Sequence, residues 1–186
     1  MAGRPRALPD QTETHLQAVL RACLGRFATG VAVVTFDAAA ERTDSTDGPT
    51  GSGDRHGITV NAFTSVSLHP PLVLVSVARG ARSHDLLADL PFCVNVLGAE
   101  QERLAQAFAG GTEATVQWQQ GELAPRLAGA LAHLDCRPWR AYDGGDHTLY
   151  LGEVVAFDYR TGDALGYLGG RFIAIGEPEL GLEHLI

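Results

Sequence analysis

Three stretches of this 186-residue chain gather residues able to hold a ligand or handle charge. Gly57-Ile58-Thr59-Val60-Asn61-Ala62-Phe63-Thr64-Ser65-Val66-Ser67 alternates like a strand, yet Thr, Asn and Ser stand where a core strand would hide hydrocarbon. Small side chains let main-chain N–H and C=O groups reach the polar edge of a planar heteroaromatic ligand, and glycine admits close approach. The same hydroxyls could simply satisfy backbone at a barrel edge. Arg79-Gly80-Ala81-Arg82-Ser83 stands at the start of an expected helix, where guanidinium, hydroxyl and backbone donors can converge on a phosphate. Solvated arginines are the plain alternative. Gly144-Gly145-Asp146-His147 opens a strand, and Tyr167-Leu168-Gly169-Gly170-Arg171-Phe172 comes later in the chain; a turn histidine means little by itself.

Several familiar sites are absent from the sequence. It has no HExxH, no GxSxG and no GxxxxGK[ST], and the glycines around Gly51 and Gly53 lack the strand-turn-helix setting of a dinucleotide fingerprint. The seven histidines are scattered, which argues against a metal site. A net charge of −8 argues against nucleic acid as a partner. Cys23, Cys93 and Cys136 are odd in number and far apart, each in an apolar or alternating run, so free buried thiols are expected rather than disulfides. The N-terminus has two early arginines but no apolar run behind them, and no later segment has the length of a membrane span. A cytoplasmic protein is the expectation.

The elements that must position these residues read as follows. A loose tail over 1–12 precedes one domain over 13–176, and a C-terminal tail covers 177–186. Leu16, Val19, Leu20, Cys23, Leu24 and Phe27 recur at helical spacing, with Thr14 to Gln17 in the form of a capping box. Val31 to Phe36 is a β-branched run suited to a buried strand, and 37–55 is a polar excursion with no apolar period. A strand from His56 to about Ser67 meets a turn at Leu68 to Pro71, and a second strand runs from Leu72 to Val77. Ala81 to Leu90 reads as a short helix capped by Ser83, 92–97 as a strand, Ala99 to Phe108 as a short helix and Gly110 to Arg126 as irregular. Ala130 to Trp139 and His147 to Tyr159 alternate on either side of Asp143-Gly144-Gly145-Asp146, a hairpin signal; the last strand is Gly170 to Ile175. With no sustained βαβ alternation, a closed or partly closed antiparallel barrel with peripheral helices is expected.

Taken in order, LRACLGRFATGVAVVT, GITVNAFTSVSLHPPLVLVSV, RSHDLL, FCVNVL, GDHTLYLGEV and YLGGRF resemble the short-chain NAD(P)H:flavin oxidoreductases, from about Leu20 to Phe172. The resemblance implies a mainly β fold, an antiparallel Greek-key split barrel that works as a homodimer. It implies a flavin reductase that passes hydride from NADH to FAD, or to FMN, and releases reduced flavin to a partner monooxygenase. By the same resemblance Gly57, Ile58, Thr59, Val60, Asn61 and Ala62 line the isoalloxazine and ribityl chain, Ser76, Val77 and Ala78 flank it, and Arg82 and Ser83 bind phosphate. His147, of the family's GDH motif, faces the nicotinamide, with Tyr167 and Arg171 nearby. The excursion before His56 is longer than the family's usual turn, and Phe172 stands where the family often has Tyr. A non-catalytic flavin carrier on the same barrel is the rival reading.

Overall fold

The computed structural model describes residues 10–38, 55–81, 84–111 and 113–176. In chain order it contains α1 (Asp10–Leu24), β1 (Thr29–Gly30), β2 (Ala32–Asp37), β3 (Arg55–Val60), β4 (Phe63–Leu68), β5 (Pro71–Ala78) and a 3-10 turn at Asp85–Ala88. Then come β6 (Phe92–Val96), a 3-10 turn at Ala99–Gln101 leading into α2 (Glu102–Phe108), β7 (Trp118–Gln120) and β8 (Pro125–Leu127). The chain closes with β9 (Ala132–Gly144), β10 (His147–Tyr159), β11 (Ala164–Leu168) and β12 (Arg171–Ile175).

The main sheet has seven strands in the order β3-β2-β6-β9-β10-β5-β4, every pair antiparallel. Strands β3 and β4 are its two edges, yet only Asn61 and Ala62 separate them in the chain. Two residues span only about 3.3–3.6 Å each. The sheet must therefore curl until its edges meet at one end, which makes a barrel split along the β3 side. Ser76 N donates to Ala62 O at 3.0 Å across that meeting point. Strand β6 crosses from β5 to lie between β2 and β9, and β10 returns to β5, the interlocked connection of a Greek key. This is the antiparallel split barrel expected from the sequence.

The unbroken apolar run of β2 is explained by burial on both faces. Alternation sends Val34 and Phe36 into one core with Val75, Val77, Phe92 and Tyr150. Val33, with Val31 just before the strand, enters a second core with Leu97, Ala105, Leu127 and Leu165. Between them runs a buried polar tie: Asn95 Nδ2 donates to Val33 O at 2.8 Å and Thr35 Oγ1 at 2.9 Å, while its Oδ1 accepts from Leu127 N at 2.8 Å. Thr35 Oγ1 donates to Pro125 O, so β8 is fastened to β2 and β6 through side chains.

The structure corrects several expectations. Helix α1 begins at Asp10, so residues 10–12 belong to it rather than to a tail, and the Thr14 to Gln17 spacing lies inside a turn already formed. The expected strand from His56 to Ser67 is two strands, because Asn61 and Ala62 carry the chain from one sheet edge to the other. Ala81 to Leu90 is not an α-helix among the described residues but a four-residue 3-10 turn. The stretch taken as irregular contains the β7–β8 hairpin, too short and polar to show a period. Strand β11, at Ala164–Leu168, was hidden by its alternation of small residues. Cys93 and Cys136 are buried as expected, with burial and then the Asp135 carboxylate raising both thiols, Cys136 to about 12; Cys23 is exposed. Among the described residues no helix is long and apolar enough to cross a membrane.

Candidate functional site

A cleft of about 890 Å³ occupies the split of the barrel. One wall is edge strand β3 and its exit, with Gly57, Ile58, Thr59, Val60, Asn61 and Ala62; the other is the end of β5, with Ser76, Val77 and Ala78; His147 closes one side from the start of β10. The structure thus brings together ten of the residues singled out from the sequence. Because β3 pairs with β2 along one side only, its other row of N–H and C=O groups is left for a ligand in the split.

Gly57 shows why small residues are needed here. A Cβ at this position would lie 2.5 Å from Cε1 of Phe108, so the aromatic ring sits directly on strand backbone. Phe108 in turn meets Trp118 edge to face, with ring centroids 6.0 Å apart. Thr59 does not point its hydroxyl at a ligand: Oγ1 donates to Ala105 O at 2.7 Å and so pins α2 to β3. The end of α2, from Ala107 to Gly111, therefore lines the cleft, as do His56, Gly80, Ala81 and Leu86. Sequence reasoning missed the α2 residues, since nothing in Ala-Phe-Ala-Gly-Gly marks a ligand wall until the hydroxyl at Thr59 is seen to hold it.

His147 is the first residue of β10 and pairs with Ala78 at the end of β5. Its Nδ1 lies 2.7 Å from Asp146 Oδ1, an acceptor that places the proton on Nδ1. The hydrogen bond to His147 holds the Asp146 carboxyl below its ordinary range. On the buried side of β10, His84 Nε2 lies 2.8 Å from Thr148 Oγ1 and 3.1 Å from the Tyr150 hydroxyl, which itself donates to His84 O at 2.8 Å. His84 thereby anchors the chain just after the expected phosphate loop; its place in RSHDLL gave no hint of burial.

Arg82 and Ser83 lie outside the described residues. Tyr167 and Arg171 are described but do not line the cleft of a single chain. Tyr167 packs edge to face on Phe172 at 5.4 Å and pairs with Thr29, while Arg171 is exposed at the start of β12. Of the three residues assigned to NADH, only His147 is at the cleft. Among the described residues no cluster of three or more His, Cys, Asp or Glu could hold a metal ion.

The fold is an antiparallel barrel split at one seam, and the seam is a cleft lined mainly by small residues and strand backbone. The model for the flavin reductase like domain matches residues 24–176, and the chain belongs to that family. An NADH-dependent FAD reductase of Streptomyces globisporus is 43% identical over 164 residues, covering 82% of each chain. The reductase component of 4-nitrophenol 4-monooxygenase/4-nitrocatechol 2-monooxygenase from Rhodococcus opacus is 36% identical over 160 residues, 84% of this chain and 80% of its own. The solved structure of the Streptomyces globisporus C-1027 NADH:FAD oxidoreductase has a TM-score of 0.73 at 38% identity, covering 98% of this chain and 99% of its own. The same oxidoreductase is also solved with NAD and FAD fragments, with a TM-score of 0.70 at 36% identity over 96% of this chain and 99% of its own.

Proposed function

We propose that this chain is an NADH-dependent flavin reductase whose cleft holds FAD, or FMN, along β3 and receives NADH on the His147 side. The observation that carries the reading is the convergence of the 57–62 strand, the β5 end and His147 on one cleft. The residues fit a flavin: glycine and small side chains leave backbone donors within reach, and Phe108 supplies an apolar wall.

When bound, flavin supplies the acceptor for a hydride given by nicotinamide C4. The protein's work is to position, which requires reacting atoms roughly 3–3.5 Å apart. Backbone N–H groups of the 57–62 segment would hold the ring edge of a bound flavin, where preorganised donors act most strongly on negative charge. His147, held by Asp146, presents Nε2 as a hydrogen-bond partner for the nicotinamide amide or as a proton carrier. We assign Arg82 and Ser83 to the flavin phosphate, and leave Tyr167 and Arg171 out of the NADH site of a single chain. Relatives that serve as reductase components of monooxygenases support a flavin-dependent monooxygenase as the recipient of the product.

The resemblance implies a homodimer, and the structure offers a surface for one. Leu16, Val19, Leu20 and Leu24 form one stripe of α1, continued by Phe27, and every one of them is exposed, Leu24 by 64% and Phe27 by 77%. Such a continuous apolar stripe marks an interaction surface. A Leu20→Asp/Leu24→Asp variant is expected to sediment as a monomer at concentrations where the parent chain sediments as a dimer; equal sedimentation of both would remove α1 from the interface.

His147→Ala tests the site. The NADH KM is expected to rise about tenfold, roughly the worth of one hydrogen bond, with FAD affinity little changed. An unchanged NADH KM would separate His147 from the nicotinamide.

A further inference from the structure

Arg79 belongs to the cluster read from sequence as a phosphate site, but its guanidinium is engaged elsewhere. Nε donates to Gly145 O at 2.9 Å, Nη2 donates to Asp143 Oδ1 at 2.7 Å, and the backbone N donates to Asp146 O at 2.9 Å. Asp143 Oδ1 also accepts from Gly145 N at 3.1 Å. All of these bonds end on the tip of the β9–β10 hairpin, on Asp143 in β9 and on the two-residue loop Gly145-Asp146, whose first residue takes φ +79°, as a two-residue hairpin loop requires.

This loop needs a tether. From Ala141 to Asp146 every residue of the hairpin tip is exposed, so no core packing fixes it. The ladder between β5 and β10 stops at Ala78 opposite His147, one residue short of the tip. Arg79, the next residue after Ala78, is where the ladder's job passes to a side chain. Its bonds reach Asp143, Gly145 and Asp146, and Asp146 Oδ1 holds His147 Nδ1 at 2.7 Å. The Arg79 partner holds the Asp143 carboxyl below its usual range, so the pair is charged at neutral pH.

We propose that Arg79 is a positioning residue for the hydride donor, clamping the Asp143–Asp146 loop to the end of β5 so that the His147 imidazole keeps its place at the cleft. This rests on the assignment of His147 to the NADH side. An exposed ion pair contributes little to global stability. The clamp therefore acts on the geometry of one loop, and its loss should be read in NADH kinetics rather than in melting.

The test is a mutant cycle at saturating FAD with NADH varied. Arg79→Met keeps the aliphatic stem and removes the donors; it is expected to raise the NADH KM about fivefold, with FAD affinity by fluorescence titration and Tm nearly unchanged. Arg79→Lys, which can satisfy only part of the loop, should recover part of the loss. In a His147→Ala background Arg79→Met should add almost nothing, since the residue it positions is gone. A full fivefold effect persisting in that background, or a loss of FAD affinity with NADH KM unchanged, overturns the clamp while leaving the His147 assignment standing. Should His147→Ala alone leave the NADH KM unchanged, the assignment falls and the clamp with it.

Discussion

Gly57→Val is expected to weaken FAD binding roughly ten- to hundredfold, the range set by overpacking a close contact. The reason is local. Any Cβ at position 57 meets Cε1, Cδ1 and Cζ of Phe108 at 2.5, 2.6 and 3.2 Å, so the ring must leave the strand. Phe108 is wedged against Trp118 behind it, and the displacement falls on the cleft that both residue 57 and Phe108 line. Isothermal titration of FAD reads the loss directly. Pairing Gly57→Val with Phe108→Ala should restore part of the affinity, because the collision has one partner. Affinity within twofold of the parent in the single variant would show that the 57–108 wall does not touch the flavin.

The second large effect is on stability. Asp135 is completely buried on β9, and its Oδ2 accepts from Arg126 Nε at 3.1 Å and from Glu122 N at 3.0 Å, with Arg126 Nη2 a further partner. The Arg126 side chain is only 14% exposed, and although burial pulls its pKa down, the neighbouring negative groups, Asp135 foremost and Asp158 with it, together raise it. Removing one member of such a pair leaves an uncompensated charge in the interior. Asp135→Ala is expected to cost about 3 kcal/mol in denaturant unfolding, the low end for a broken buried pair, because Asp158 still accepts from Arg126 Nη1. The cost arises at the β7–β8 hairpin, whose own strands are only three residues each. A loss well under about 1 kcal/mol, the level of a surface pair, would mean the hairpin is held by its bonds to Asn95, Thr35 and His133 without Asp135.

How legible the molecule was in its sequence depends on how far each element relies on its own residues. Val31 to Phe36 announced itself through β-branched density because the run is buried on both faces, and Ala130 to Trp139 and His147 to Tyr159 through period two, where buried and exposed residues alternate near the core. Asn61 and Ala62 were read as strand interior, since no local signal says that a two-residue link joins opposite edges of a curled sheet. That fact belongs to topology, and it is what creates the cleft. The small and polar residues of 57–62 stood out in the sequence because they look odd in a core strand, and the structure places them along the cleft, with Gly57 against Phe108 and Thr59 bonded to Ala105. The α2 wall at Phe108 did not stand out, because it depends on the Thr59 hydroxyl and on a glycine about fifty residues away in sequence. Arg79 and Arg82 look alike in the sequence, and only the position of the β9–β10 loop shows that the Arg79 guanidinium is spent on Asp143 and Gly145. Tyr167 and Arg171 carried the family's motif without carrying its place in this chain's cleft.

The direct measurement is NADH absorbance in a mixture of the purified protein, excess free FAD and oxygen. Steady consumption of many equivalents of NADH per protein is expected, as each flavin is reduced in the cleft, released and replaced. Consumption that stops after one equivalent, with FAD bound, would contradict it and leave a flavin carrier on the same split barrel.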